Sequence, residues 1–186
     1  DDIHSTGLAA PEEDYLALAH VLGCFLQVLP FPEPRQWQLA YADIRLDPVR
    51  KRRLMRFYRR FVQRHLWFHG VDKTFLSKNP SFTPMLNMLA DEFPGARFVA
   101  CFRNPSKAVP SQINSILVGA RIFRGRHIDP EYWRDGLSEM LQFYYRHLFE
   151  AMPARVPHHH AHMLLERLAP DPEEAMLALY AEFGWQ

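Results

Sequence analysis

The order of apolar and polar stretches predicts an α/β fold, a parallel sheet flanked by helices and rich in helix. Three observations carry that expectation. Short apolar runs alternate with helical patterns from residue 74 to the end of the chain, the rhythm of a parallel sheet with crossover helices. Two of those runs end alike, at Lys78-Asn79-Pro80 and Arg103-Asn104-Pro105, so each is expected to turn at once into a helix. The 186 residues, 48% hydrophobic and 23% charged, suit one domain, 1–186, with a sizeable core.

Taken in order, residues 12–28, "EEDYLALAHVLGCFLQV", read as a helix whose first turn is acidic, which complements the helix dipole. Pro30, Pro32 and Pro34 make 29–34 a connection. A short helix is expected around 35–44. Asp47-Pro48 starts a long helix that runs to about His69, with Leu54, Tyr58, Phe61, His65 and Phe68 on one stripe and Gly70 as its stop. "TFLSK" (74–78) is expected as a short buried strand, 82–92 as a helix, and "PGARFVACF" as a turn and a second strand. Helices over 105–119 and 130–152 follow, the latter begun by Asp129-Pro130. "HHHAHMLL" (158–165) is expected as a third strand and "DPEEAMLALYAEFGW" as a closing helix.

Composition narrows the function. A net charge of +1 gives no global electrostatic case for nucleic acid. Cys24 and Cys101 each lie in an apolar run, so buried free thiols are expected rather than a disulfide framework. No apolar run approaches the roughly 18 residues of a membrane-spanning helix. The polar, acidic opening "DDIHSTG" is unlike a signal peptide, which leaves a cytoplasmic expectation.

The chemistry concentrates at the two similar strand ends. Ligands of open α/β sheets bind beyond the carboxyl ends of the strands. A cation there, followed by a helix N-terminus with free amides, makes an anion site. Arg103 offers a planar fork of donors suited to phosphate. Eight residues on, Ser111 follows Pro110, whose missing N–H loosens the helix and lets the hydroxyl turn back toward the same anion. Lys78 stands ready for a second anionic group. A salt-bridged surface arginine and an unliganded helix serine fit the same pattern equally well.

The stretch "LSKNPSFTPMLNMLADEFPGARFVACFRNPSKAVPS" (76–111) resembles the central block of the PAPS-dependent sulfotransferases, nearest to their broad bacterial branch. "LLERLAPDPEEAMLALYAEFGW" (164–185) is similar to the closing segment of that family. The resemblance implies a P-loop NTPase-like sulfotransferase fold. It implies transfer of a sulfuryl group from PAPS (3′-phosphoadenosine 5′-phosphosulfate) as co-substrate, without a metal. The acceptor would be the hydroxyl or amine of a small molecule, a carbohydrate or a lipid. Arg103 and Ser111 would hold the 3′-phosphate, and Lys78 would be the catalytic cation on the bridging or sulfuryl oxygens. Two departures stand out. Nothing matches the family's "PrSGTT" phosphosulfate loop, so the chain reads as a core without the N-terminal strand and loop. Phe82 stands where family members often carry a histidine base. Glu12, Glu13, Asp14 and His20 on the first helix are then the remaining base candidates, each better read as a helix-surface residue. Two rival readings stay open: a sulfotransferase-like domain that binds nucleotide without transfer, and a P-loop kinase relative, which also lacks its loop.

Three further features are weighed as structural. His158, His160 and His162 share a strand face, but three alternate imidazoles rarely reach tetrahedral geometry unaided. "RKRRLMRFYRR" (50–60) reads as the solvated face of a helix whose other side is core. Arg121, Arg124 and Arg126 read either as a plain surface loop or as one that closes over a ligand. Glu166 matches an acidic position of the family, and a structural role is expected there.

Overall fold

The computed structural model describes residues 13–125 and 127–185. The chain opens as a 3₁₀ helix, Asp14–Val21, reverses at Leu22 and Gly23, and makes a second 3₁₀ turn, Phe25–Val28. The single helix expected over 12–28 is therefore broken. Leu22 takes the left-handed conformation (φ 55°), and the Gly23 N–H returns to the Leu18 carbonyl at 2.9 Å. Gly23 also sits hard against the core, since a Cβ there would fall 2.4 Å from Leu54 Cδ2. α1 (Pro34–Trp37), a 3₁₀ turn (Gln38–Tyr41) and α2 (Ala42–Arg45) then lead to α3 (Pro48–His69).

Capping chemistry sets the long helices. Asp47 Oδ1 accepts the N–H groups of Val49 and Arg50, both at 2.9 Å, to open α3. A 3₁₀ turn (Pro80–Met85) and α4 (Leu86–Glu92) follow, then β1 (Phe98–Phe102). Asn104, Asp129 and Asp171 cap α5 (Pro105–Arg124), α6 (Pro130–Arg146) and α9 (Pro172–Glu182) in the same way. Each places Pro in the first turn, where a missing N–H costs nothing. α6 passes through a π-type turn, His147–Ala151, into α7 (Met152–Arg155). β2 (His160–Leu164) and α8 (Leu165–Leu168) separate α7 from α9.

Among the described residues the sheet has two strands, β1 and β2, paired in parallel from Phe98 opposite His160 to Phe102 opposite Leu164. The helices α5 and α6 form the crossover, as expected for a parallel pair. The expected strand at 74–78 does not form, and Leu76 there is 90% exposed. Side chains hold this segment instead of a backbone ladder. Ser77 Oγ and Asn79 Nδ2 both donate to Asp14 Oδ1, at 3.0 and 3.1 Å.

The main core lies among the helices, with Leu18, Leu39, Leu54, Trp133 and Leu137 fully buried. Small satellite clusters tie β1 to Leu86 and Met152, and β2 to Leu179 of α9. On α3, Leu54, Met55 and Tyr58 are buried, whereas His65 and Phe68 of the expected stripe are exposed, because the last turns run past the core. The basic run on α3 is less free than a solvated face. Arg50 donates to the Leu22 carbonyl at 3.2 Å, Lys51 to the Asp43 carbonyl at 2.5 Å, and Arg59 pairs with Glu92 at 2.5 Å. Cys24 is buried as expected; Cys101 is exposed, contrary to expectation, because it occupies the outward face of β1.

One buried polar hub crosses the core. The Asp43 carboxylate accepts N–H bonds from Asn87 (2.8 Å) and Met88 (3.1 Å) at the start of α4, and meets His147 Nε2 at 3.0 Å. It therefore fixes α2, α4 and the π-type turn after α6 to one another. Among the described residues no helix is long and apolar enough to cross a membrane.

Candidate functional site

The carboxyl end of β1 opens into a cleft of about 1090 Å³. Its walls come from Glu13 and Tyr15, the Phe25–Val28 turn, the segment 76–83, α5, and α6 with its π-type turn. Lys78, Arg103 and Ser111, the three residues singled out in the sequence, all line it. Ala108, Ser111, Gln112 and Ser115 follow one another at helical spacing, so α5 presents a small, polar face to the cleft.

The start of α5 is held from both sides. Asn104 Oδ1 accepts the Ser106 N–H at 3.0 Å and the Ser106 hydroxyl at 2.8 Å. The Asn104 N–H donates to Glu166 Oε1 at 3.0 Å, just beyond β2. That bond, its own backbone N–H, and the nearby Lys107 and Arg103 hold the Glu166 carboxyl below the usual glutamate range. The structural role expected for Glu166 is thus the one it has. The Arg103 carbonyl accepts the Tyr145 hydroxyl at 3.1 Å, and the Tyr145 ring stacks on Phe102 with centroids 5.9 Å apart. The Arg103 backbone is pinned, while its guanidinium makes no hydrogen bond or ion pair among the described residues. Tyr145 is a site residue that sequence reasoning missed. Its only trace in the sequence is its place in the long amphipathic stretch that becomes α6.

Lys78 is less free than Arg103. Its ammonium pairs with Glu13 on the same cleft wall, with the Lys78 side chain 80% exposed. An ion pair this exposed is worth at most about 1 kcal/mol, so an incoming anion can displace the glutamate. Asp14, by contrast, is committed: Tyr58, Ser77 and Asn79 all donate to it. His20 is exposed, with Nδ1 3.2 Å from the Ala17 carbonyl. Of the three described base candidates only Glu13 lines this cleft with a carboxylate not taken up by backbone or hydroxyl donors. Glu12 lies outside the described residues. Tyr144 adds a hydroxyl that is buried in the cleft wall without a hydrogen-bond partner among the described residues; burial pushes its pKa up, so it remains a donor.

The remaining sequence candidates lie elsewhere. Arg121 and Arg124 are exposed on the last turn of α5, and Arg124 reaches the Pro30 carbonyl at 3.5 Å; Arg126 lies outside the described residues. His160 and His162 lie on β2 with ring centroids 5.5 Å apart, and His162 packs beside Phe102 and Phe149. His158 precedes the strand and does not share its face. Among the described residues no group of three or more His, Cys, Asp or Glu converges on a metal position.

The model of the sulfotransferase family covers residues 4–186. The chain belongs to the sulfotransferase family. Membership places its helix-rich architecture and small parallel sheet within the P-loop-like α/β fold, and makes sulfuryl transfer the family's general chemistry. No curated protein and no solved structure matches the chain.

Proposed function

We propose that this chain binds the donor nucleotide PAPS in the cleft at the end of β1 and transfers its sulfuryl group to the hydroxyl or amine of an acceptor. The observation that carries the proposal is that one cleft gathers Lys78, Arg103 and Ser111, with Arg103 unpaired and its backbone clamped. The donor set fits the group. An unpaired guanidinium and a hydroxyl suit the 3′-phosphate. A lysine held only by an exposed pair suits the sulfuryl or bridging oxygens.

The nucleotide supplies an activated sulfuryl group and a stable bisphosphate leaving group. The protein's residues do the rest. Arg103 and Ser111 fix the 3′-phosphate and so the register of the donor. Lys78 exchanges Glu13 for the donor oxygens and offsets the charge that grows on the leaving 5′-phosphate. Glu13, released from Lys78, accepts the proton of the acceptor. The acceptor oxygen or nitrogen bonds to sulfur as the bond from sulfur to the bridging oxygen breaks, and that electron pair leaves on the 5′-phosphate.

Calorimetric titration of adenosine 3′,5′-bisphosphate tests the assignment. Saturable binding is expected, weakened about 10- to 100-fold in Arg103→Ala, the worth of one hydrogen bond to a charged group. An unchanged Kd in the variant, or no binding by the unmutated chain, counts against it. A second reading keeps the nucleotide site but not the transfer. It is favoured by the pairing of Lys78 with Glu13, which neutralises the one cation assigned to the sulfuryl group. Bisphosphate binding without any sulfated product would select it.

A further inference from the structure

Beside the nucleotide cleft lies a second one, of about 630 Å³, that shares Glu13, Leu76 and Lys78 with it and is otherwise built from different residues. Its walls are aromatic. Phe57 and Phe61 of α3 face Phe75, whose ring meets Phe61 edge-on at 6.4 Å and His65 edge-on at 5.1 Å. Its polar groups are unequal. The carboxylates present are engaged, Asp14 by Tyr58, Ser77 and Asn79, and Glu13 by Lys78. Arg64 is exposed on the rim and makes no hydrogen bond or ion pair among the described residues. His20 and His65 stand on the same rim.

We infer that this second cleft is the acceptor site, and that the acceptor is an apolar ring compound bearing an anionic group. The inference rests on the donor assignment proposed above. An acceptor seated here has the Glu13–Lys78 pair between itself and the nucleotide, which is where the base and the sulfuryl-binding cation must act. The volume suits a molecule of two or three fused or linked rings. Phe57, Phe61 and Phe75 take the rings, and Arg64 takes a carboxylate or similar anion by a charge-assisted bond. A carboxylate held at Arg64 anchors the acceptor in the cleft that Glu13 also lines, which leaves a ring hydroxyl free to turn toward Glu13.

The test is a pair of fluorescence titrations with 6-hydroxy-2-naphthoate and its uncharged analogue 2-naphthol. The carboxylate is expected to bind about tenfold more tightly than the naphthol, and Arg64→Ala is expected to erase that preference while leaving naphthol binding within about twofold. Phe75→Ala, a change on an exposed segment that the core does not require, should weaken both ligands. Saturating adenosine 3′,5′-bisphosphate should not displace the naphthoate. Equal binding of the two ligands, an Arg64→Ala variant that keeps the preference, or displacement by the nucleotide would each overturn the inference. Nucleotide binding is read in its own titration with Arg103→Ala, so failure of the donor assignment is seen separately from failure of this one.

Discussion

Replacing Asp43 with Ala should lower stability far more than a change at Lys78, Arg103 or Ser111. The carboxylate is fully buried and accepts three contacts: the Asn87 N–H at 2.8 Å, the Met88 N–H at 3.1 Å and His147 Nε2 at 3.0 Å. Ala leaves two backbone donors and a buried imidazole without partners. Each unmet buried group costs about 1–3 kcal/mol, and removing one partner of a buried pair costs about 3–5 kcal/mol. The contacts share one hub, so the sum is capped near the larger single figure, and about 3–5 kcal/mol is expected. For a chain of this length each kcal/mol moves the melting midpoint by about 2–4 °C, giving a drop of roughly 6–20 °C. Urea unfolding followed by circular dichroism reads it directly. Asp43→Asn should fall between the two, because one oxygen survives as an acceptor while the new amide cannot accept the Asn87 N–H. His147 and Asp43 should show a coupling above about 1 kcal/mol in a double-mutant cycle, since they touch. A loss below about 1 kcal/mol for Asp43→Ala would refute the reasoning and mean that water reaches the hub. The prediction bears on the site as well. The π-type turn that carries His147 also positions Leu148 on the cleft wall, so a destabilised hub should loosen nucleotide binding before the chain unfolds.

Gly23→Ala should cost about 1–3 kcal/mol by urea unfolding, because its new Cβ would lie 2.4 Å from Leu54 Cδ2 and force a fully buried leucine off its place. Tyr145→Phe keeps the ring stacked on Phe102 but frees the Arg103 carbonyl, and should weaken adenosine 3′,5′-bisphosphate about two- to tenfold with little change in melting temperature. Glu166 is held below the usual glutamate pKa when folded, so its contribution is complete above the unfolded-state value and is lost as pH falls through the lowered folded value. Melting curves of the unmutated chain and Glu166→Gln should therefore converge at acid pH and diverge toward neutrality, and parallel curves at every pH would contradict the bond to Asn104. A thiol reagent should modify Cys101, on the cleft, in the native chain and reach Cys24 only on unfolding; burial pushes the Cys101 thiol up, so the native rate should climb through alkaline pH, and bound nucleotide should slow it.

Much of the fold is written in local chemistry. The Asp-Pro and Asn-Pro pairs at 47–48, 104–105, 129–130 and 171–172 each supply a capping oxygen and a residue with no N–H to satisfy, so helix starts can be read residue by residue. "FVACF" pairs with "HAHML" in parallel, and alternate apolar residues bury opposite faces of the pair, Ala100 and Phe102 against Leu86 and Met152, Ala161 and Met163 against Leu179. The errors lie where local pattern gives no vote. "TFLSK" has strand-like residues, but a strand exists only through a neighbour's backbone, and here the polar side chains of Ser77 and Asn79 are committed to Asp14, more than sixty residues away. The turn at Leu22-Gly23 is likewise fixed by contact with Leu54, which no periodicity in 12–28 can announce.

The site divides along the same line. Arg103 and Ser111 could be singled out together because their spacing and the strand-end turn are local properties, and both line one cleft. Lys78 was legible as a cation but not as one half of a pair with Glu13, since the segment that holds it is placed entirely by tertiary contacts. That difference has a chemical consequence. The Arg103 carbonyl is held by Tyr145 and the next N–H, that of Asn104, by Glu166, so in the proposed reaction its guanidinium meets the anion without first breaking a pair. Lys78 must first give up Glu13, and in doing so creates an unpaired carboxylate beside the shared wall of the two clefts. In the proposed reaction, binding of the donor and arming of the base are then one event. Lys78→Ala should therefore reduce turnover by removing the sulfuryl-binding cation, while leaving Glu13 unpaired before the donor arrives. Glu13→Gln should spare, or slightly tighten, adenosine 3′,5′-bisphosphate binding and still abolish transfer. A Glu13→Gln variant with full activity would separate the two events and remove Glu13 from the mechanism.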